Sequence, residues 1–568
     1  MKNLFKSWML FAVLGFGSLL VSCDESEDES PGTPVITLPG DIEASYDLGQ
    51  IFRIKVAVNV QTGISGVQLE SELENPAEIA NLESVMGQTG ELILNVSYTA
   101  KNHGNEILTI TLTDQADQQA VENIEFIVGN VVRVNDADLE GGKTYNWTSD
   151  KIYLLDKVVY LEECGVLNIE AGTVVKFTNS VIAANDKDNE TSALVIARGA
   201  KINAVGTADK PIIFTHADDE MDRQNLEPLG NKKWGGLVIL GAAPAFAETP
   251  TPQVEGIKKE EPRGNYGGSS TDDSSGKLQY VSIRYTGVGF GSGNEIQGLT
   301  LGGVGLGTVI SHIDIFSSND DGVEIFGGTV NIKNISVAFA SDDSFDFDFG
   351  WKGAMQYLFA LQGKNLASDH AGEWDGAKPD DAALYTDAKI FNATIVGPGT
   401  DSESNKSKLA ILMRDNFAGQ LANSVLTDFP GAGIEVEDLG EGKVDAYERI
   451  NNSLFIRNNT FSKFKGATDL GSLVRTTEGK AEDAQGTALK AHLTENNNEY
   501  VAGLAVAAVS RATDGMLDPR PVTNNNNVYS GPLPEGIEQA GYRGAFEAGK
   551  DTWLKGWSTL AKYGYLKY

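Results

Sequence analysis

Two cysteines, Cys23 and Cys164, in 568 residues leave no disulfide framework to staple the fold. The five histidines (His103, His216, His312, His370, His492) form no HExxH pair and no CxxC occurs, which argues against a zinc protease and a structural zinc site. Positive charge is scarce: 45 lysines and arginines face 79 aspartates and glutamates, a formal net charge of −34. Nucleic acid and anionic membrane surfaces are poor partners for such a chain. Helical periods are missing between the apolar runs over most of the length, which leaves an all-β reading. Glycine spacings in GVGFGSGNEIQG and GGVGLG imitate a nucleotide loop, but no helix pattern follows and similar spacings recur at turns, so they read as turn geometry.

What is present begins with a leader. Residues 1–22 carry Lys2, Lys6 and an apolar run from Trp8 to Val21 that is too short to span a bilayer, the pattern of a signal peptide. Leu20-Val21-Ser22-Cys23 resembles the bacterial lipobox, in which cleavage precedes the cysteine and Cys23 is acylated. DESEDES, Asp24 to Ser30, resembles the acidic export signal of Bacteroidota lipoproteins, which implies the outer face of the outer membrane, with membrane contact only through the lipid. A plain solvated tether over 23–33 is the alternative. With Cys23 lipidated, Cys164 stands alone and reads as a small core residue.

Residues 34–130 hold short alternating runs (FRIKVAVNV, ELILNVSYTA, EILTITLTD, NIEFIV) between turn-rich segments, which predicts a small antiparallel β-sandwich. NHGNEILTITLTDQADQQAVENIEFIV resembles the last two strands of bacterial immunoglobulin-like modules, which implies a spacer. From 131 to 568 glycine turns break β-branched runs at roughly 20–30-residue intervals, the grammar of a parallel β-helix rather than of a propeller with uniform blades. Asn334, Asn392 and Asn423 recur at one phase, where asparagine tolerates a left-handed turn and stacked amides form a ladder. The terminal DTWLKGWSTLAKYGYL is amphipathic, with Trp553, Leu554, Trp557 and Leu560 on one side, and is expected to cap the last coil.

AGTVVKF, WGGLVILG, SNDDGVEIFGGTVN, DDSFDFDFGWKGAMQ and GYRGAFEAGKDTWLKGW together resemble the uncharacterised right-handed parallel β-helix lipoproteins and secreted proteins of Bacteroidota. The resemblance implies the fold and assigns no activity. SDHAGEWDG, Ser368 to Gly376, stands where that family has an Asp-Arg-Gly-Ile-Glu-like turn.

SFDFDFG interleaves carboxylates with phenylalanines at strand spacing. Aligned by their turns, DGVEIFG, SFDFDFG, AGEWDGA and AGIEVED put Val323, Phe345, Gly372 and Ile434 inward in one file. Glu324, Asp346, Glu373 and Glu435 then turn outward in the next, with Leu412 between the last two. A second outward file reads Phe326, Asp348, Asp375, Arg414, Glu437, and the stripe Phe345, Phe347, Phe349 is expected to stack in the core. Coils about 4.8 Å apart make like charges in a file repel by about 1 kcal/mol in water and roughly 3–4 kcal/mol at lower dielectric. Relief would come from Ca²⁺, from retained protons, or from Arg414 or Lys352 reaching across.

The candidate calcium ligands are Asp320, Asp321, Glu324, Asp342, Asp343, Asp346, Asp348, Glu373 and Asp375. Phe326, Lys352, His370, Arg414, Glu435 and Glu437 are candidates for a ligand groove. The acidic loops NDKDNE (Asn185 to Glu190) and HADDEMD (His216 to Asp222) are either further calcium loops or solvated turns. One reading is a binding lipoprotein for a glycan, a nutrient or an outer-membrane protein, by analogy accessory to a TonB-dependent transporter. The other is a polysaccharide lyase or glycoside hydrolase, with Arg414, Asp346 and Glu373 as candidate catalytic groups. A lyase groove needs several basic residues to meet an acidic polymer, and the alignment places only Arg414 among the acids, so the sequence leans to binding.

Overall fold

The computed structural model describes residues 32–567 except 41, 43–44, 48–49, 102–103, 179–190, 229–231, 247–251, 290–293, 365–367, 404–405, 407 and 478–479. The leader, the tether to residue 31, Cys23 and NDKDNE lie outside the described residues. No helix among the described residues is long and apolar enough to cross a membrane.

Ahead of the solenoid, two four-stranded sheets face each other. Strict alternation in Ile51–Val60 turns Phe52, Ile54, Val56, Val58 and Val60 onto a shared core with Tyr98, Ile110 and Phe126, while Arg53 and Lys55 face away.

The remainder is a parallel β-helix. One wall is a ten-stranded parallel sheet running from Val158–Leu161 through Val323–Phe326, Phe345–Asp348, Gly372–Asp375 and Leu409–Arg414 to Val474–Thr476. The other is an eighteen-stranded sheet creased lengthwise. Its crease is a file of left-handed residues: Tyr280, His312, Asn334, Tyr357, Asn392, Asn423 and Asn458 lie opposite one another in successive coils with φ between 51° and 62°. The asparagine phase is thus a backbone corner. Its amides do not form the expected ladder. Those of Asn392, Asn423 and Asn458 donate to the carbonyls of Tyr542 (2.8 Å), Tyr529 (3.5 Å) and Asn527 (3.2 Å) in the C-terminal tail. A side-chain ladder does run elsewhere, from Asn203 to Asn168 to Asn146, with 2.9 Å at each step.

Aromatic stacking fills the bore beneath the acids: Phe347 lies 4.7 Å from Trp351 and 5.5 Å from Trp374, which is 5.6 Å from Phe417. Gly372 leaves the gap that Trp374 occupies, since a Cβ there would come within 2.5 Å of the indole nitrogen. Phe345 and Phe347 are core residues as expected, but Phe349 is not. Its φ of 50° ends the alternation and turns the ring outside, 5.8 Å from Phe326. Cys164 is also misplaced by the sequence reading. It is exposed, at a turn residue with φ of 63°.

The tail runs back along the creased sheet rather than over the last coil. Leu554, Leu560, Tyr563 and Tyr565 pack on Tyr285, Phe316 and Phe339 in the middle of the solenoid. The last coils are covered instead by the helix Thr487–Glu495, which buries Leu489, His492 and Leu493. The HADDEMD loop anchors the tail: buried Asp219 accepts from the Tyr563 hydroxyl and pairs with buried Arg284 at 3.3 Å. That employs a carboxylate the sequence left open for calcium.

Candidate metal and ligand site

Register in the ten-stranded wall sets the acids in line. Glu324 lies opposite Asp346, Asp346 opposite Glu373, Glu373 opposite Leu412 and Leu412 opposite Glu435. In the second file Phe326 faces Asp348 and Asp375 faces Arg414. The side chains point away from the bore, yet several are shut off from water: Glu324, Asp321, Asp343 and Asp375 are each less than a tenth exposed. Over the Glu324 end the cover includes Val254, Ile257, Tyr266 and Ile296, which pack on Val195, Val238, Leu240 and Phe326, while Arg414 lies on Asp375 and His370 lies beside Asp343. Phe326 is therefore no groove contact. It is buried against Tyr266 and Phe349 because this cover closes on it.

The seam divides into two electrostatic halves. In the first, Asp321, Glu324 and Asp346 bring one carboxylate oxygen each within 4.8 Å of the others, as do Asp320, Asp321 and Asp342. Burial, reinforced by the neighbouring carboxylates, pushes Asp321, Glu324 and Asp346 far above the ordinary carboxylate range. Asp320 is pushed up to about 8 by burial, Glu295 and Asp342, and Asp348 to about 8 by burial and Asp375. Glu324 Oε2 and Asp346 Oδ1 are buried without a hydrogen-bond partner, and among the described residues neither has a cation within ion-pair distance. Lys406 reaches Asp342 at 3.7 Å from the rim. Asp321 also fixes the turn below, its Oδ1 accepting the Asp343 N–H at 2.8 Å.

The second half carries its own cations. His370 Nδ1 lies 3.3 Å from Asp343 and 3.5 Å from Glu373, and its Nε2 lies 3.5 Å from Asp369. Burial alone would lower this imidazole, but Asp343 and Glu373 raise it to about 10, with Glu373 the firmer partner because burial pushes the Asp343 carboxyl itself far above the usual range. Arg414 grips Asp375 with Nε at 2.8 Å and Nη2 at 2.9 Å, and its Nη2 also meets Glu373. Burial opposes ionisation of Glu373, yet His370 and Arg414 hold its carboxyl down to about 2.

The remaining groove candidates are occupied locally. Glu435 pairs with Arg475 of the next coil, and Glu437 accepts the Asp415 N–H at 2.8 Å. Lys352 does not reach across the acids: its ammonium sits 5.0 Å over the Tyr385 ring, because the turn at Phe349 and Gly350 redirects the chain. Sequence reasoning missed Gln297, Thr300, Glu255 and Glu295. Thr300 precedes Glu324 in the same file and donates to Gln297 Oε1 at 2.6 Å, while Gln297 Nε2 reaches Asp320 at 3.4 Å. GLTLGG aligns with GVEIFGG and carries that signal for Thr300. Glu255, raised to about 7 by burial and Glu295, comes from the cover and leaves no periodic trace.

The stacked parallel coils define the class as a parallel β-helix protein. The pectate-lyase-like beta helix domain matches residues 140–505, and the chain belongs to that family. Among solved structures the chain is similar to the family 28 exopolygalacturonase of Yersinia enterocolitica, at 11% identity over 80% of this chain and 88% of that one, with a TM-score of 0.23. It is likewise similar to the catalytic unit of the thermostable GH87 alpha-1,3-glucanase from Streptomyces thermodiastaticus strain HF3-3, at 10% identity over 80% and 90%, with a TM-score of 0.26. No curated protein matches.

Proposed function

We propose that the protein is a lipid-anchored lipoprotein of the outer-membrane surface that uses its acidic wall, stiffened by calcium, to hold a ligand. The observation that carries the reading is the pair of orphaned, buried oxygens, Glu324 Oε2 and Asp346 Oδ1, within a cluster of carboxylates. An all-oxygen set suits Ca²⁺, which takes about 6–8 oxygen ligands in flexible geometry. Asp320, Asp321, Glu324, Asp342 and Asp346 are the residues that would hold it, with Asp348 at the edge. Asp343, Glu373 and Asp375 fit a calcium ion less well, since each already has His370 or Arg414 at ion-pair distance, although burial still pushes Asp343 far above the carboxylate range and Asp375 to about 7. Calcium would supply charge neutralisation.

Arg414, about a third exposed, and the ionised Glu373 beside it form the part of the wall available to a glycan, a nutrient or an outer-membrane protein such as a TonB-dependent transporter. Calcium is expected to raise the melting temperature of the purified chain and EGTA to reverse it. The double variant Asp346→Ala, Asp348→Ala should lose that response. A wild-type melt indifferent to calcium would refute the metal.

One observation favours a hydrolase as the second reading. Asp346, whose carboxyl burial pushes far above the ordinary range, neighbours Glu373, whose carboxyl is held down to about 2, the opposed shifts an acid and base pair needs. Release of reducing sugar from a polysaccharide, abolished in Glu373→Gln, would establish it. The lyase form is weaker, because Asp375 and Glu373 hold Arg414 protonated more firmly than a free arginine and so make it a poor base.

A further inference from the structure

On the creased sheet, well away from the acidic seam in register, a cleft of about 470 Å³ opens between three consecutive coils and the returning tail. Lys389, Gln420 and Phe455 follow one another in adjacent strands and form its floor, with Arg457 two residues beyond Phe455. Tyr529 and Leu533 of the tail form the wall. The Arg457 guanidinium is clamped between the Phe455 ring, 4.5 Å away, and the Tyr529 ring, 4.1 Å away. It donates to Gln420 Oε1, a neutral acceptor, and no carboxylate among the described residues lies within ion-pair distance of it.

Two groups here lack partners, and both are donors: Gln420 Nε2, on a residue only 5% exposed, and Arg457 Nε. The lone acid of the lining, Asp387, is already paired with Lys389. In a chain of net charge −34 the cleft is thus left with one uncompensated positive charge, two unpartnered donors and a mixed lining, polar on the coil side and apolar where Tyr529, Pro532, Leu533 and Pro534 of the tail close it. A guanidinium packed against two rings keeps its charge and its fork of donors in one place, which is preorganised for an oxyanion. A cavity of this size suits a small molecule.

We infer that this cleft binds a small carboxylic acid with an apolar or aromatic body, its carboxylate meeting Arg457 and Gln420 and its body lying against Tyr529 and Leu533. The site is independent of calcium and of the acidic wall. The test uses ligand-observed NMR on the full chain in EGTA, with benzoate as probe, benzamide as its neutral counterpart and glucuronate as an acid with a polar body. Benzoate should bind, and benzamide should bind about ten-fold more weakly or worse, since a charge-assisted pair is lost. Arg457→Gln should weaken benzoate by a similar factor. Leu533→Glu, which leaves the guanidinium and its rings in place, should do the same by repulsion, and it serves if Arg457→Gln does not fold. Failure of benzoate to bind the wild type, equal binding of benzamide, or undiminished binding in folded Arg457→Gln would overturn the assignment. Glucuronate binding more tightly than benzoate would overturn the apolar body.

Discussion

Glu324 lies in a file of like charges with one carboxylate oxygen unpartnered, so neutralising it acts in opposite directions with and without metal. In EGTA, Glu324→Gln replaces a carboxyl that must take up a proton to be buried with a group that is neutral already, and should stabilise the chain by about 1–3 kcal/mol at neutral pH. In calcium the same change deletes a ligand, and the calcium-induced rise in melting temperature should shrink. Calorimetry under both conditions reads the two signs. Acidity gives a second test. Asp320 and Asp348 stand at about 8 in the folded chain against about 4 unfolded, so between those values the folded state binds more protons. Their contribution to stability is complete below about pH 4 and is lost as pH rises through about 8. In EGTA the melting temperature at pH 5 should exceed that at pH 8.5, and saturating calcium should flatten the slope. Which residues share a file was legible in the sequence, because strand alternation and glycine turns fix it. Their burial was not, because the cover comes from a segment whose Tyr266 and Ile296 obey no repeat.

Single strands and corners show where periodicity stops being informative. Asn334, Asn392 and Asn423 announced a left-handed corner because asparagine accepts positive φ, whereas Tyr280, His312 and Tyr357 occupy the same file without any such signal. At two of those corners tertiary stacking overrides propensity: Tyr280 stacks on His312 at 4.3 Å and meets the Trp557 edge at 5.3 Å. At Asn423 the corner and the tail are separable. Asn423→Gly keeps the φ of 56° while losing the bonds to Tyr529, and should cost about 1 kcal/mol. Asn423→Val loses those bonds and forces a β-branched residue into left-handed geometry, adding about 1–2 kcal/mol more. Urea melts of the two variants should fall in that order, and equal midpoints would mean that the corner carries no strain. Phe349 makes the same point from the other side: two residues of alternation, Phe345 and Phe347, were read correctly, and one positive φ reversed the third.

For the molecule as a whole, the solenoid was legible as a recurring grammar, but the course of its tail was not. Amphipathicity says that one side of DTWLKGWSTLAKYGYL is apolar without saying which surface it meets. The surface it meets is a flank of Tyr285, Phe316, Phe339 and Phe359, with Phe546 on Phe359 and Tyr563 on Phe316. Buried Asp314 accepts there from the Thr559 N–H and hydroxyl at 2.8 and 2.6 Å. A chain ending at Thr552 should therefore expose several aromatic side chains, each worth about 1.5–3 kcal/mol of burial, and strip Asp314 of those donors. The loss is comparable to the net stability of about 5–15 kcal/mol that a folded domain retains. Because coils of a solenoid contact mainly their neighbours, the damage should centre on the coils around residues 280–360 and leave the first coils ordered. Hydrogen exchange should then show protection lost along the strands Val309–Ser318 and Ala354–Leu361 but kept along Val166–Ile169. Undiminished protection throughout would mean that the tail is an accessory laid on a finished wall.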